Sequence, residues 1–223
     1  MLASSFFLFY NIFRVGGNMT TIYLINNSLT MNNLSFPDKE LLEQKREKRI
    51  LSIEGEEASK KLVHDKDLQS VQYIYSSSYV MSIGTAKYLA KKLELDINIK
   101  AEIGERVLGN LGDKKIRMVT EIQENDFDYK LSGGESLNEV KKRMYHFISK
   151  LLEEHQDKVI ALFTHNVAIT CLLSHWCTKG FNLDNRLILN YQEEAIIDGT
   201  WDGVNIIELV FDKKELVSIK RKK

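Results

Sequence analysis

Apolar positions along the chain follow two spacings. Short runs of consecutive or alternating apolar residues predict strands, and longer stretches with apolar residues three or four apart predict helices. The predicted strands cover residues 21–26, 71–75, 97–99, 159–163, 195–197, 204–210 and 216–219. The predicted helices cover residues 38–49, 54–63, 79–93, 135–154 and 166–177. An acidic loop is predicted around residues 124–126.

The order of these elements predicts the fold class. Strands alternate with helices, which indicates a mostly parallel central sheet with helices on both faces, a three-layer α/β/α sandwich. Short turns such as Asp202-Gly203 join the last strands, and this hairpin-like end predicts one antiparallel strand. At 223 residues the chain has the size of one α/β domain. We therefore predict a single α/β domain over residues 19–223.

The first 18 residues are predicted to lie outside that domain. They contain a short apolar run from Phe6 to Tyr10, which lacks a basic segment before it and is too short to span a bilayer. Met19 stands directly before the first predicted strand. We expect residues 1–18 to be a disordered tail or a gene-model extension, with Met19 as the natural start.

The amino-acid composition limits the kinds of partner and cofactor that the protein is expected to bind. Lysine and arginine balance aspartate and glutamate, so the formal net charge is zero. Without a long-range positive field, neither nucleic acid nor a membrane surface is an expected partner. Cys171 and Cys177 are the two cysteines and lie in an apolar segment, which favours a reducing, cytoplasmic location. Together with His175 they match no common zinc spacing, so no metal and no cofactor are expected.

A polar turn follows the first predicted strand directly. It consists of Asn26, Asn27 and Ser28, and Asn33 comes five residues later. Open α/β sheets bind their ligands just beyond the carboxyl ends of the strands. Amide and hydroxyl groups at that place can donate and accept hydrogen bonds. The turn is therefore a candidate binding site for a polar ligand.

The same stretch resembles the opening of the histidine phosphatase (phosphoglycerate mutase-like) superfamily. Those proteins begin with a strand followed by Arg-His-Gly-Glu-Thr-x-x-Asn, in which the His accepts the phosphoryl group. Thr30 and Asn33 match this pattern, whereas Asn26, Asn27 and Ser28 stand where the Arg, His and Gly are found. The resemblance implies the family fold, with Asn27 at the position of the nucleophile.

A second motif of the family, Ser-Ser-Pro-x-x-Arg-Ala-x-x-Thr-Ala, resembles residues 76–86. Ser76, Ser77 and Thr85 match, but the phosphate-binding Arg of the family falls on Met81. An Arg grips phosphate oxygens with two parallel hydrogen bonds, which a thioether cannot do. Met81 is interpreted as an apolar, gap-filling residue at an inherited pocket position.

Three further segments complete the resemblance. The segment around Glu105 resembles the one that carries the acidic proton donor of the family, with Glu102 as the second choice. Residues 133–136, Gly-Gly-Glu-Ser, match a pocket-rim motif before a long helix. His165 matches the second catalytic His, and Asn166 follows it where the family has Gly.

The family reaction needs a neutral imidazole to attack phosphorus and cations to neutralise the phosphoryl group. Of these groups, the chain keeps His165 alone. Our first hypothesis is a degenerate member, catalytically inactive or very weak, that acts as a binding or regulatory module. It would hold a small polar or phosphorylated ligand and associate as a homodimer or with a protein partner.

Two other hypotheses remain open at the level of the sequence. One is a phosphomonoesterase or mutase that uses His165 as nucleophile or base and Glu105 as acid. The other is an enzyme with unrelated chemistry in the same cleft.

Overall fold

The computed structural model describes residues 19–31 and 42–222. Residues 1–18, Asn33 and the start of the helix predicted at residue 38 lie outside the described residues. The strands are β1 Met19–Asn26, β2 Tyr73–Ser76, β3 Ile97–Ile99, β4 Val159–Thr164, β5 Thr178–Phe181, β6 Leu187–Tyr191, β7 Glu194–Ile197, β8 Ile206–Asp212 and β9 Glu215–Lys222. The helices are α1 Leu42–Glu47, α2 Ile53–Lys61, α3 Val80–Leu93, α4 Ile116–Asn125, α5 Leu137–Glu154 and α6 Asn166–Leu173.

A six-stranded sheet with the order β3-β2-β4-β1-β8-β9 forms the centre of the fold. The first four of these strands are parallel to one another. Strand β8 is antiparallel to β1, and β9 is antiparallel to β8, so β8 alone runs against the others. The predicted α/β class, with a mostly parallel sheet and one antiparallel strand, is confirmed.

Alternate side chains of the central strands enter two separate cores. Ile22 and Leu24 of β1 belong to the core under α5 and α6, while Tyr23 and Ile25 belong to the core under α3. Since successive strand residues point to opposite faces, the two cores lie on opposite faces of the sheet. The molecule therefore has the three layers that the sequence predicts.

Two parts of the fold differ from the sequence-based prediction. The loop predicted around residues 124–126 is wrong, because α4 extends through Asn125. In this helix only Val119 and Gln123, one turn apart, are buried. Two buried positions are too few to give a recognisable helical periodicity in the sequence. The helix predicted over residues 166–177 ends at Leu173, and β5, β6 and β7 form a second antiparallel sheet of which only β7 was expected.

Local chemistry explains where the helices nearest the site begin. The N–H of Gly55 donates to Oγ of Ser52, the N-cap of α2, at 3.1 Å. Ser136 caps α5 in the same way and is joined by Glu139 in a reciprocal capping box. Each such cap contributes about 1 kcal/mol and fixes the direction in which the helix leaves the preceding loop.

Replacing Leu24 tests the position of the core. Leu24 is fully buried in β1, so Leu24→Ala should lower the free energy of unfolding by about 2–5 kcal/mol. The matched control is Ile53→Ala, because Ile53 is 80% exposed and should cost less than about 0.5 kcal/mol. Chemical denaturation measures both values, and equal losses would contradict this assignment of the core.

Candidate functional site

The candidate site lies at the carboxyl ends of three adjacent parallel strands. Strand β4 pairs with β1 on one side and with β2 on the other. The last residue of β1, Asn26, aligns with the last residue of β4, and the last residue of β2 aligns with Phe163, one residue earlier in β4. The next residue is Asn27 after β1, His165 after β4 and Ser77 after β2. The N–H of Asn27 donates to the carbonyl of Thr164 at 2.8 Å, and the N–H of Ser77 donates to the carbonyl of Phe163 at 3.0 Å. These bonds extend the sheet pairing and hold the three side chains together.

His165 is the centre of the site, and both of its ring nitrogens are hydrogen-bonded. Its Nδ1 lies 3.0 Å from Oδ1 of Asn27, and its Nε2 lies 2.8 Å from Oγ of Ser77. The ring of Tyr79 packs edge-on against the imidazole with 4.5 Å between centroids. His165, Ser77 and Tyr79 are all buried. The imidazole is thus enclosed and fixed in orientation.

The hydrogen-bond network assigns one tautomer to His165. Nδ2 of Asn27 donates to the carbonyl of Ser28 at 3.0 Å, so Oδ1 is the Asn27 atom that faces the imidazole. An amide oxygen only accepts, so Nδ1 of His165 carries the proton and Nε2 carries the lone pair. The N–H of Tyr79 donates to Oγ of Ser77 at 3.4 Å, which leaves the hydroxyl proton of Ser77 to point at Nε2.

His165 is neutral at neutral pH. Burial lowers its pKa to about 4, with Arg46 and Arg143 acting in the same direction and Glu105 against it. A buried imidazole without a directly bonded carboxylate loses hydration when it is protonated and gains little in return. The hydrogen bond that Asn27 accepts and the one that Ser77 donates suit this neutral form.

Glu105 lies beside this group as a carboxylate. Its Oε1 accepts from the N–H of Arg106 at 2.8 Å, and its Oε2 accepts from the N–H of Val167 in the first turn of α6 at 3.4 Å. Burial alone would raise the pKa of Glu105, but its electrostatic interactions with His165 and Arg46 and the hydrogen bond from the N–H of Arg106 outweigh burial, so the net shift is downward. An acid with a lowered pKa is ionised at neutral pH and is poorly suited to donate a proton there.

A fork of hydrogen bonds holds the Glu105 segment in place. Arg143 of α5 donates to both carboxylate oxygens of Glu135 at 2.7 and 3.0 Å, and also to the carbonyls of Gly104 and Glu105 at 3.0 and 3.1 Å. The carboxylate of Glu135 also accepts from the N–H of Val107 at 2.9 Å. The Gly-Gly-Glu-Ser segment therefore supports the rim of the site and does not supply a reacting group.

Asn26 is 2% exposed and uses both ends of its amide within the protein. Nδ2 donates to the carbonyl of Gly203 at 2.9 Å, and Oδ1 accepts from the N–H of Asn205 at 2.6 Å. Residues 203–205 lead into β8, so Asn26 joins the end of β1 to the start of β8. Its polar atoms are thus directed at the neighbouring backbone.

Ser28 likewise forms its hydrogen bonds with neighbouring elements. Its N–H donates to Oγ1 of Thr85 in α3 at 2.9 Å, and its hydroxyl donates to the carbonyl of Gly55 in α2 at 2.9 Å. A Cβ at position 55 would stand 2.0 Å from the carbonyl oxygen of Leu29, so only glycine permits this close approach. The turn after β1 is fastened to both helices.

Two other predicted site residues lie in different environments. Met81 is buried and packs with Leu51 and Tyr79 in a small apolar cluster. Asn166 is the first residue of α6, and its Oδ1 is buried with no hydrogen-bond partner among residues 19–31 and 42–222. Position 81 is therefore apolar, and Asn166 keeps one unused acceptor.

Sequence reasoning missed three residues of the site: Ser77, Tyr79 and Arg46. Ser77 matches the serine pair of the second motif, but its contact with His165 depends on β2 lying next to β4, which periodicity does not reveal. Arg46 of α1 donates to the carboxylate of Glu43 at 3.1 Å and to the carbonyl of Arg106 at 2.9 Å. It brings a positive charge near Glu105 that no motif indicated.

Comparison with known proteins identifies the family of the chain. The model of the histidine phosphatase superfamily (branch 1) matches residues 40–210, and the chain belongs to this superfamily. The matched range begins after the turn that holds Asn26 and Asn27. A curated relative, "Probable phosphoglycerate mutase GpmB" of Salmonella choleraesuis (strain SC-B67), is 26% identical over 167 residues, which cover 68% of this chain and 78% of that protein.

Solved structures show the same fold. The structure of the mycobacterial glucosyl-3-phosphoglycerate phosphatase with inorganic phosphate has a TM-score of 0.61 at 14% identity and covers 91% of this chain and 95% of that one. The phosphoglycerate mutase of Bacillus anthracis (strain Sterne) has a TM-score of 0.62 at 13% identity and covers 92% and 93% of the two chains.

The described residues contain neither a membrane-spanning helix nor a metal-binding group of side chains. No helix within residues 19–31 and 42–222 is long and apolar enough to cross a membrane. In the same ranges, no three His, Cys, Asp or Glu side chains are grouped so that they could hold a metal ion.

The lowered pKa of His165 predicts a pH-dependent stability. An unfolded His titrates near pH 6.5, so the unfolded chain binds the extra proton between about pH 6.5 and 4 while the folded protein does not. The contribution of neutral His165 is therefore complete above about pH 6.5 and is lost as the pH falls to about 4, by roughly 3 kcal/mol.

Urea denaturation between pH 4 and 7 measures this effect. His165→Gln should have a shallower slope of unfolding free energy against pH than the unaltered protein. The exposed His64 supplies the control, and His64→Gln should keep the original slope. Identical slopes for all three proteins would contradict a buried, neutral His165.

Proposed function

We propose that this member of the histidine phosphatase superfamily has lost phosphoryl transfer and acts as a binding or regulatory module. The observation that carries the proposal is the hydrogen bond between His165 and Asn27, the residue that matches the nucleophile's position in the family motif and that carries a carboxamide in place of an imidazole. A carboxamide is a very poor nucleophile. Loss of the nucleophile in a comparable covalent mechanism, that of a serine protease, costs on the order of a millionfold in rate.

His165 is a poor substitute for the missing nucleophile. Its Nδ1 carries a proton that is donated to Asn27, and the lone pair on Nε2 accepts from Ser77. A phosphorus atom could approach only after one of these bonds breaks. The imidazole is also buried, so a phosphate group would have to displace protein atoms to reach it.

The charges around His165 do not favour a phosphate dianion. Asn26 and Met81 are uncharged, and each lost charged hydrogen bond weakens binding by roughly 1.5–3 kcal/mol. Glu105 is an anion at the same site. The nearby cation Arg46 pairs with the carboxylate of Glu43, and Arg143 pairs with that of Glu135. The uncharged polar groups of the site favour an uncharged ligand with hydrogen-bonding groups over a phosphate dianion.

The second candidate function is a phosphomonoesterase or mutase in which His165 acts with Glu105. The relatives favour it, since the similar proteins include one named as a probable phosphoglycerate mutase and a glucosyl-3-phosphoglycerate phosphatase. Glu105 and His165 also interact electrostatically, as a shared site requires. The ionised state of Glu105 at neutral pH weakens its role as a proton donor.

Hydrolysis of p-nitrophenyl phosphate separates the two functions. The unaltered protein should show no turnover above background, because the nucleophile is absent. The triple reversion Asn26→Arg, Asn27→His and Met81→Arg should gain turnover, and Asn27→His alone serves if the triple variant does not fold. The matched control, Asn26→Gln with Asn27→Gln, should stay inactive.

Turnover of p-nitrophenyl phosphate by the unaltered protein would instead favour the phosphomonoesterase or mutase. Turnover by the unaltered protein that disappears in His165→Ala would contradict the loss of phosphoryl transfer. A rise in melting temperature with inorganic phosphate or vanadate at millimolar concentration would count against an uncharged ligand.

The homodimer or protein partner and the cytoplasmic location stay predictions. Light scattering of the purified chain tests the dimer.

A further inference from the structure

We propose that helix α1 is a lid over the buried cluster around His165 and that a ligand enters when this helix swings away. The cluster consists of His165 with its hydrogen-bond partners Asn27 and Ser77. His165 and Ser77 are both buried, so the site is closed and a ligand needs an opening to reach it. The inference rests on the proposed binding function and adds how access to the site is controlled.

One edge of α1 is fastened to the segment that directly follows Glu105. Arg46 donates to the carbonyl of Arg106 at 2.9 Å, and Oε1 of Glu43 accepts from the N–H of Leu108 at 2.8 Å. The second carboxylate oxygen of Glu43 accepts from Arg46 at 3.1 Å. Glu43 therefore holds both the backbone at position 108 and the cation that reaches position 106, so it is the main fastening of the lid.

The other edge of α1 faces the aromatic ring that encloses the imidazole. Tyr79 packs edge-on against His165 with 4.5 Å between ring centroids. Burial raises the pKa of Tyr79 to about 12, and the charges of Arg46 and Glu43 act on its phenol in opposite directions. Besides burial, Arg46 also lowers the pKa of His165. Because such charge effects weaken with distance, α1 lies next to Tyr79 and forms an outer layer over the imidazole.

Helix α1 packs less tightly on the protein than any other α-helix that the structure describes. None of its six residues is buried, whereas each of α2 to α6 has at least two buried residues. Its apolar contact is that of Leu42, which lies partly buried against the cluster of Leu108, Val119 and Leu131. A helix of six residues is not stable by itself, and segments with little buried surface open at low free energy. These properties are those of a lid.

The chain that follows α1 supplies a hinge. Helix α1 ends at Glu47, and residues 48 and 49 form an exposed turn. From Ile50 onward the backbone is fixed, because the carbonyl of Ile50 accepts from the N–H of Met31 at 3.1 Å and Leu51 is buried. Hinges are usually a few residues at the end of an element that absorb a change in backbone angles. Rotation at this turn would move α1 and leave α2 in place.

The charges of the site select which ligand an open lid admits. Arg46 moves away with α1, so the open site has one cation fewer, while Glu105 stays beside His165 as an anion. The carboxamide of Asn27 and the hydroxyl of Ser77 are then the hydrogen-bonding groups next to the imidazole. The lid therefore admits an uncharged molecule with hydroxyl or amide groups and does not create a site for a phosphate dianion.

The rate at which diethyl pyrocarbonate modifies His165 in the full chain measures the opening. This reagent reacts with neutral imidazoles that it can reach, and mass spectrometry of peptides at pH 7 follows each histidine separately. Glu43→Ala should raise the rate at His165 about tenfold, the effect of losing one charged hydrogen bond that holds the lid shut. Glu43→Gln should change the rate in the same direction and serves if the alanine variant does not fold.

Two controls separate opening of the lid from other effects. Glu47→Ala removes a carboxylate from an exposed position of the same helix and should leave the rate at His165 within about twofold of the unaltered protein. Leu24→Ala weakens the core and leaves the contacts of α1 intact, so it should change the rate much less than Glu43→Ala does. The exposed His64 should react at the same rate in every variant.

Equal rates at His165 in the unaltered chain and in folded Glu43→Ala would overturn the lid. A rise in Leu24→Ala as large as that in Glu43→Ala would also refute it, because His165 would then be reached by unfolding of the whole domain. Turnover of p-nitrophenyl phosphate is a separate measurement, so failure of the lid and failure of the proposed function are distinguishable.

Discussion

The parallel pairing of β1, β4 and β2 is the constraint on which the site depends. In this register the last residue of β1, Asn26, lies opposite Thr164 at the end of β4, and Ser76 at the end of β2 lies opposite Phe163. The residues that follow are thereby brought together within hydrogen-bond distance. A shift of one residue in either strand pairing would turn these side chains to the other face of the sheet, and they would no longer contact one another.

The uncharged side chains at positions 26, 27 and 81 suit the neutral state of His165. A neutral, buried His165 needs neutral hydrogen-bond partners, and Asn27 and Ser77 provide them. Without a phosphoryl dianion to hold, cations at positions 26 and 81 would be unpaired charges in a buried region, which is costly. Asn26 instead bonds to the backbone before β8, and Met81 packs in an apolar cluster.

Sequence reasoning predicted the strands and helices that make up the central fold, because buried parallel strands and amphipathic helices have strong periodic patterns. Helix α4 buries only two residues and was missed. The bond from Asn26 to Gly203 joins positions 177 residues apart, a contact that no local pattern encodes. Ser77 was recognised as part of a motif, but its contact with His165 follows from strand order alone.

Asn27 determines the tautomer of its buried neighbour His165. An imidazole at position 27 would place two bases side by side, whereas a carboxamide there offers an acceptor that fixes the proton of His165 on Nδ1. The lone pair of Nε2 is then directed at the hydroxyl of Ser77, the one nucleophilic oxygen within its reach in the described structure. The inherited sheet holds all three groups in this geometry without any further change, since each follows the end of a strand that the family fold already aligns. The side chain at position 27 thus fixes both the tautomer of His165 and the direction of its hydrogen bond with Ser77.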